Sequence, residues 1–319
     1  MRVMNRRHLK GITRGKYYYW MTIKKDIIRN KYVYLMLLPV VAYYLVFEYG
    51  PMYGMQIAFK QFSPTRGIWE SPWVGFQNFI EFFNSYYFWR IIKNTVLLGF
   101  FDLLFGFPAP ILLAMLLNEV RSKILKRTVQ SVTYVPHFVS LVVVVGILVD
   151  FTSKDGVVNQ VLGSLGIPSV PFLIRPEWFR FLYVSSDIWQ QVGWSSIIYL
   201  AAIAGISPHL YEAARVDGAN RYQQALHVTI PGILSTIVIM FILKTGHLLS
   251  VGAEKIILMY NPSIYETADV ISTFVYRKGL LEMAYSYSAA VGLFNSVLNF
   301  ALLIAANRLS RMWTDFKLW

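Results

Sequence analysis

Residues 212–231 read EAARVDGANRYQQALHVTIP, a polar, charge-balanced stretch set between two long apolar runs. Inside a series of membrane spans such an interruption must sit in water or against another protein, because hydrocarbon leaves its polar groups unsatisfied. Just before it, Ser207-Pro208 supplies a helix cap and a favoured first helical residue. A short helix is therefore predicted over His209–Val216, ended by Gly218. Asn220 caps a second short helix, Arg221 to Val228, which Pro231 closes. Two short helices meeting at a glycine make an elbow. Ala213 and Ala214 leave one side of its first helix without bulk, so a partner surface can come close.

The composition of the flanking chain makes the membrane setting firm. Of 319 residues 56% are hydrophobic and only 15% charged, against about 25% charged in a soluble domain. The net charge of +13 does not point to nucleic acid, since the basic residues gather beside apolar runs as orientation signals do. Cysteine is absent, which excludes disulfides, thiol catalysis and Cys-type metal sites.

Read outward from the elbow, six apolar runs are long enough to span a hydrocarbon core of ~30 Å. They are about Tyr32–Tyr49, with Pro39 as a kink, Ile91–Leu117, bent at Pro108 and Pro110, and Thr128–Val149, containing Pro136 and His137. The others are about Asp187–Ile206, capped at Ser185 or Ser186, then Gly232–Val251 and Ala284–Ala306. The aromatic segment 61–89 is placed outside, with an interfacial helix around Phe79–Trp89. Loops 150–180 and 252–283 are also placed outside, the latter turning at Asn261-Pro262. With both termini cytoplasmic, inner segments hold nineteen Lys and Arg and outer ones nine. That asymmetry fits the positive-inside rule. The expectation is an all-α polytopic membrane protein of six helices. A basic arm forms residues 1–31, a transmembrane domain 32–306 with the elbow at 207–231, and a cytoplasmic tail 307–319.

Glu212-Ala213-Ala214, three residues, Gly218, nine residues and Val228-Thr229-Ile230-Pro231 resemble the EAA signature of ABC importer permeases. Val228 and Ile230 depart mildly from its Ile-x-Leu-Pro ending. The run Val132 to Ser140, Tyr260-Asn261-Pro262 with Ala268-Asp269-Val270, and the closing Lys317-Leu318-Trp319 resemble the carbohydrate-uptake branch. Within it the likeness is to large-saccharide permeases of the alginate and so-called lipoprotein types. The resemblance implies a type I importer permease fold whose elbow docks in a groove of a cytoplasmic ATPase. It makes Glu212, Ala213, Ala214 and Gly218 coupling residues, with Arg215 and Asp217 their charged neighbours. It also implies a second permease subunit (a heterodimer), two ATPase subunits carrying ATP-Mg, an extracytoplasmic solute-binding protein and an oligosaccharide substrate, acidic ones included. The only Gly-Lys pair, Gly15-Lys16, is followed by Tyr17, so the chain has no phosphate loop and no nucleotide cofactor of its own is expected. No catalytic or metal residue is assigned.

A passage needs polar groups facing the bundle interior, since these are costly toward lipid. Lys244 sits deep in the fifth run, with His247 three residues on and so on one helix face. This pair is a candidate for attracting acidic or hydroxyl-rich sugars; the alternative is that Lys244 pairs with a carboxylate such as Asp102. Trp189, Gln190, Gln191 and Tyr199, with Asn295 and Asn299, are weaker candidates that could equally serve helix packing. An integral membrane enzyme acting on sugar lipids would need a clustered acidic or His constellation, and the scattered Asp and five separated His offer none. A passive channel would have no use for the elbow.

Overall fold

The structure, a computed structural model, describes residues 25, 26 and 28–313. Most of the basic arm, and the tail with Lys317-Leu318-Trp319, lie outside the described residues. The chain divides into two compact units, Met1–Gln56 and Ile57–Trp319. Among the described residues the elements are helical, apart from one isolated bridge between Lys60 and Trp73. Three helices are each long and apolar enough to cross a membrane, and three bent pairs bring the number of candidate spans to six.

In the first unit, α1 (Lys31–Tyr43) carries Pro39 and runs on through a wide π-turn, Tyr44–Tyr49. The span does not end near Tyr49 as expected: through Gly50 and Pro51 it extends over Lys31–Phe59. A proline withholds one N–H and clashes with the carbonyl a turn earlier, and a π-turn just before it relieves both. The same pattern recurs where Asp102–Gly106 precedes Pro108, and where Ala225–Thr229 precedes Pro231.

In the second unit, α2 (Phe88–Phe101) and α3 (Pro108–Glu119) form one 32-residue candidate span. The interfacial helix foreseen at Phe79–Trp89 is instead Gln77–Phe83, and Phe88 and Trp89 already belong to α2. Phe82 is no surface anchor; it is fully buried with Ile91, Phe274 and Val291. The third span is broken. α4 (Lys123–Tyr134) and a 3-10 turn at Val135–Phe138 meet α5 (Leu141–Thr152) at 105°. Val139 and Ser140 are both extended at the break, and Ser140 Oγ accepts from the N–H of Val143 at 3.4 Å.

α6 (Pro176–Ala204) has 29 residues, about 43 Å of helix. It begins eleven residues before Asp187, because Pro176 is its true first residue. Ser185 and Ser186, expected as caps, donate back to the carbonyl of Leu182. α4 lies hard against α6: a Cβ on Gly193 would meet the Thr133 carbonyl oxygen at 2.0 Å, so only glycine permits this approach.

The elbow follows as α7 (Pro208–Val216), bent 72° from α6, and α8 (Arg221–Gln224). The second helix does not stop at Val228; it continues past Pro231 to Gly232 and then turns by 64° into α9 (Leu234–Gly246). The segment beyond holds α10 (Ala253–Met259) and several shorter turns, Asn261 capping the one at Pro262. α11 (Tyr285–Trp313) completes the unit. Its main core joins Leu98, Val145, Phe179, Leu182 and Ile256 from four helices.

Candidate functional site

The elbow is built by local rules. Gly218 has φ +78°, the left-handed value that ends a helix. Its N–H bonds to the carbonyl of Arg215 at 3.1 Å, and that of Ala219 to Ala214 at 2.8 Å, which satisfies carbonyls the helix end would orphan. Asn220 and Gln223 then form a reciprocal capping box on α8. Ser207 takes the extended cap conformation without a side-chain cap bond. Tyr211 Oη lies 3.0 Å from Thr229 Oγ1, and Arg221 pairs with Glu119 of α3 at 3.2 Å. The first ties the two halves of the elbow together and the second holds it to α3. Glu212, Ala213, Arg215, Asp217 and Gly218 are exposed, Ala214 half-buried. Val216 is 87% exposed and Leu210 and Tyr222 are open as well. Charged and apolar groups are thus both exposed on the elbow, as at a contact surface.

Two polar cavities lie among the spans. The larger, about 650 Å³, is lined by Tyr183, Asp187, Gln190, Gln191, Glu254, Lys255 and Asn295, among others. The smaller, about 260 Å³, lies further along α6 toward the elbow, with Asp102, Asp187, Gln191, Ser195 and Lys244 on its wall. Lys244 is paired with Asp102 at 2.6 Å, the carboxylate partner considered from sequence. Lys255, buried, pairs with Asp187 at 3.3 Å and donates to the carbonyl of Tyr183 at 3.1 Å. Among the described residues two side-chain acceptors stay buried without a partner, Asp102 Oδ1 and Asn295 Oδ1.

Of the residues proposed for a passage, Lys244, Gln190, Gln191 and Asn295 line these cavities. Gln190 also donates to the free carbonyl of Val139 at the broken span, 3.3 Å away. Irregular backbone at membrane depth is tolerated where it meets such a cavity. The other four lie elsewhere. Tyr199 is core, 2% exposed against Ala114, Ile203 and Ile233. Trp189 borders an apolar groove with Val144, Ile147 and Phe151. Asn299 is a clamp, accepting from the Leu249 N–H at 3.0 Å and donating to Ser250. His247 does not share a helix face with Lys244, because α9 stops at Gly246 and His247 is its cap. Beyond sequence reasoning stood Asp187, Lys255 and the His137–Trp194 stack. A charge inside an apolar helix is the signal that should have drawn attention to Asp187.

The segment facing the larger cavity is fixed by a buried carboxylate. Asp269, with no exposed surface, accepts from Arg90 at 3.1 Å and from Arg277 at 2.8 Å. Burial works against the Arg277 charge, yet its bonds to Asp269 and the field of that carboxylate hold the guanidinium above its ordinary value. Asn94 donates to the carbonyls of Glu266 and Asp269 and accepts from Arg180 at 2.9 Å.

Residues 106–314 match the family described as binding-protein-dependent transport system inner membrane component. Over 310 residues the chain is 45% identical to protein LplB of Bacillus subtilis (strain 168), covering 97% of this chain and 96% of LplB. It is 45% identical over 290 residues to the polygalacturonan/rhamnogalacturonan transport system permease protein YteP of the same strain, covering 91% and 90%. One chain in the crystal structure of bacterial alginate ABC transporter in complex with alginate pentasaccharide-bound periplasmic protein matches with a TM-score of 0.85. The identity there is 47%, over 92% of this chain and 99% of that one.

Proposed function

This chain belongs to the family of binding-protein-dependent transport system inner membrane components, and on that premise we propose that it translocates oligosaccharides, acidic ones included, as one subunit of an ATP-driven importer. It is a multi-pass transport component of the cytoplasmic membrane rather than an enzyme. ATP-Mg is bound and hydrolysed by two partner ATPase subunits, a second permease completes the passage, and an external binding protein delivers the sugar. The names of the similar proteins, with their polygalacturonan, rhamnogalacturonan and alginate cargoes, support the substrate class.

One observation carries the reading: the continuous helix α6 lines both polar cavities and leads directly into the exposed elbow. Force applied at Glu212, Ala213, Ala214, Arg215, Asp217 and Gly218 therefore reaches Asp187, Gln190 and Gln191 through one helix. Lys244 and Asn295 face the same passage, whereas Trp189, Tyr199, His247 and Asn299 support its walls. In proteoliposomes holding the four-subunit importer, oligouronate-loaded binding protein should raise ATP turnover. Ala213→Trp, which adds bulk to the elbow face, should abolish that rise while the chain still inserts. Sugar uptake that continues without ATP would refute the proposal.

A further inference from the structure

Asp187 and Gln191 stand one turn apart and line both polar cavities at once. Gln191 lies fifteen residues from Pro176 and thirteen from Ala204, about 22 and 20 Å along the helix, so the shared wall sits at its middle. Each residue is held from a different element. Lys255, reaching from α10, pairs with Asp187 at 3.3 Å. His137, in the turn before the 105° break, places Nδ1 2.8 Å from Gln191 Oε1. Its ring is stacked on Trp194 at 4.5 Å and 1°, which fixes the direction of that bond. The wall between the cavities is thus tied from two sides at one level.

The chemistry of that wall also limits what could undo it. Lys244 and Lys255, the lysines lining the cavities, are both in ion pairs, and removing one member of such a pair strands the other charge. A hydroxyl, both donor and acceptor, can hydrogen-bond each member of such a pair in place of the other and brings no new charge into the wall. The buried acceptors Asn295 Oδ1 and Asp102 Oδ1, on residues of the larger and the smaller cavity wall, lack a donor that a hydroxyl could supply once the wall moves.

We propose that Asp187 and Gln191 form the gate of the passage, latched by Lys255 and His137, and that sugar hydroxyls open it by taking over those bonds. Lys255 and His137 act here as positioning residues. The opening ligand rests on the oligosaccharide reading above; the gate does not.

The absence of cysteine from this chain makes a direct test possible. Ser250→Cys reports on the larger cavity and Ser195→Cys on the smaller. The intact importer, without nucleotide, is treated with a bulky membrane-impermeant thiol reagent from the binding-protein side, and labelling is read on this chain. Ser250→Cys should react readily and Ser195→Cys slowly. Adding Lys255→Met, or His137→Phe, which keeps a ring on Trp194 but drops the nitrogen, should speed Ser195→Cys labelling about tenfold, as loss of one strong hydrogen bond predicts. Saturating oligosaccharide-loaded binding protein should do the same without either change. Co-purification of the partner subunits confirms that each variant is assembled. Equal Ser195→Cys rates with and without both latch changes, or parent rates matching Ser250→Cys, would overturn the gate. Latch variants that open while the oligosaccharide has no effect would overturn the hydroxyl trigger alone.

Discussion

Asp102 and Lys244 show how a charge inside the bilayer can be tolerated and still matter. Insertion of a lone charge near the middle of a helix costs roughly 2.5–3.5 kcal/mol. The contact at 2.6 Å offsets much of that, and the cavity beside it lets both groups keep some hydration. Replacing one partner strands the other, and since Lys244 is still 37% exposed the penalty should be about 2 kcal/mol, below the 3–5 of a fully buried pair. Asp102→Asn and Lys244→Met should therefore each lower the thermal midpoint of the purified importer, and the double variant should recover it. Sugar uptake should stay low in the double variant, because the passage has lost its polar wall. Wild-type uptake there would make the pair a device of packing alone. Sequence made Asp102 one carboxylate among several partners for Lys244; the choice depends on how α2 and α9 pack, which lies 142 residues apart along the chain.

At the scale of elements, the elbow was legible and the spans only in part. Its features are local: a proline at the first turn, a left-handed glycine, an Asn-Gln capping box, all within a few residues of the bonds they make. Gly218→Val should cost about 1–2 kcal/mol for forcing a β-branched residue to φ +78°. Because that strain is relieved by moving the end of α7, the expected result is a stably inserted chain whose partner ATPase no longer responds to loaded binding protein. ATP turnover is the measurement, and an unchanged response would mean that the elbow tolerates a different ending. The limits of the spans were less readable because hydropathy marks where a helix is apolar, not where it begins. α6 starts eleven residues before Asp187 on Pro176, and that early start is why Asp187 sits at mid-helix instead of at an end. Likewise, Pro136 lies close to the break in the third span, but the size of that bend depends on Val139 and Ser140 both turning extended. Neither residue type demands that by itself.

Across the whole molecule the distribution of cations predicts which side each end of the passage faces. Near the segment 253–281, four basic residues are committed to carboxylates: Arg90 and Arg277 to Asp269, Lys255 to Asp187, and Lys278 to Glu282. On the side of the elbow, Arg121, Lys123 and Arg127 are exposed, next to helix α3, whose Glu119 pairs with Arg221. Free cations beside a span are retained on the cytoplasmic side and are attracted to its anionic lipid. The elbow should therefore be cytoplasmic, where ATP is available, and the segment 253–281 external, where a binding protein can reach the larger cavity. Single cysteines test this in the cysteine-free chain. Ser263→Cys, beside the Asn261 cap, should react in intact cells with an impermeant thiol reagent. His209→Cys, on the open face of α7, should react only once the membrane is permeabilised. The reverse pattern would place the elbow outside, away from any ATPase, and the coupling role of residues 212–218 would fall with it.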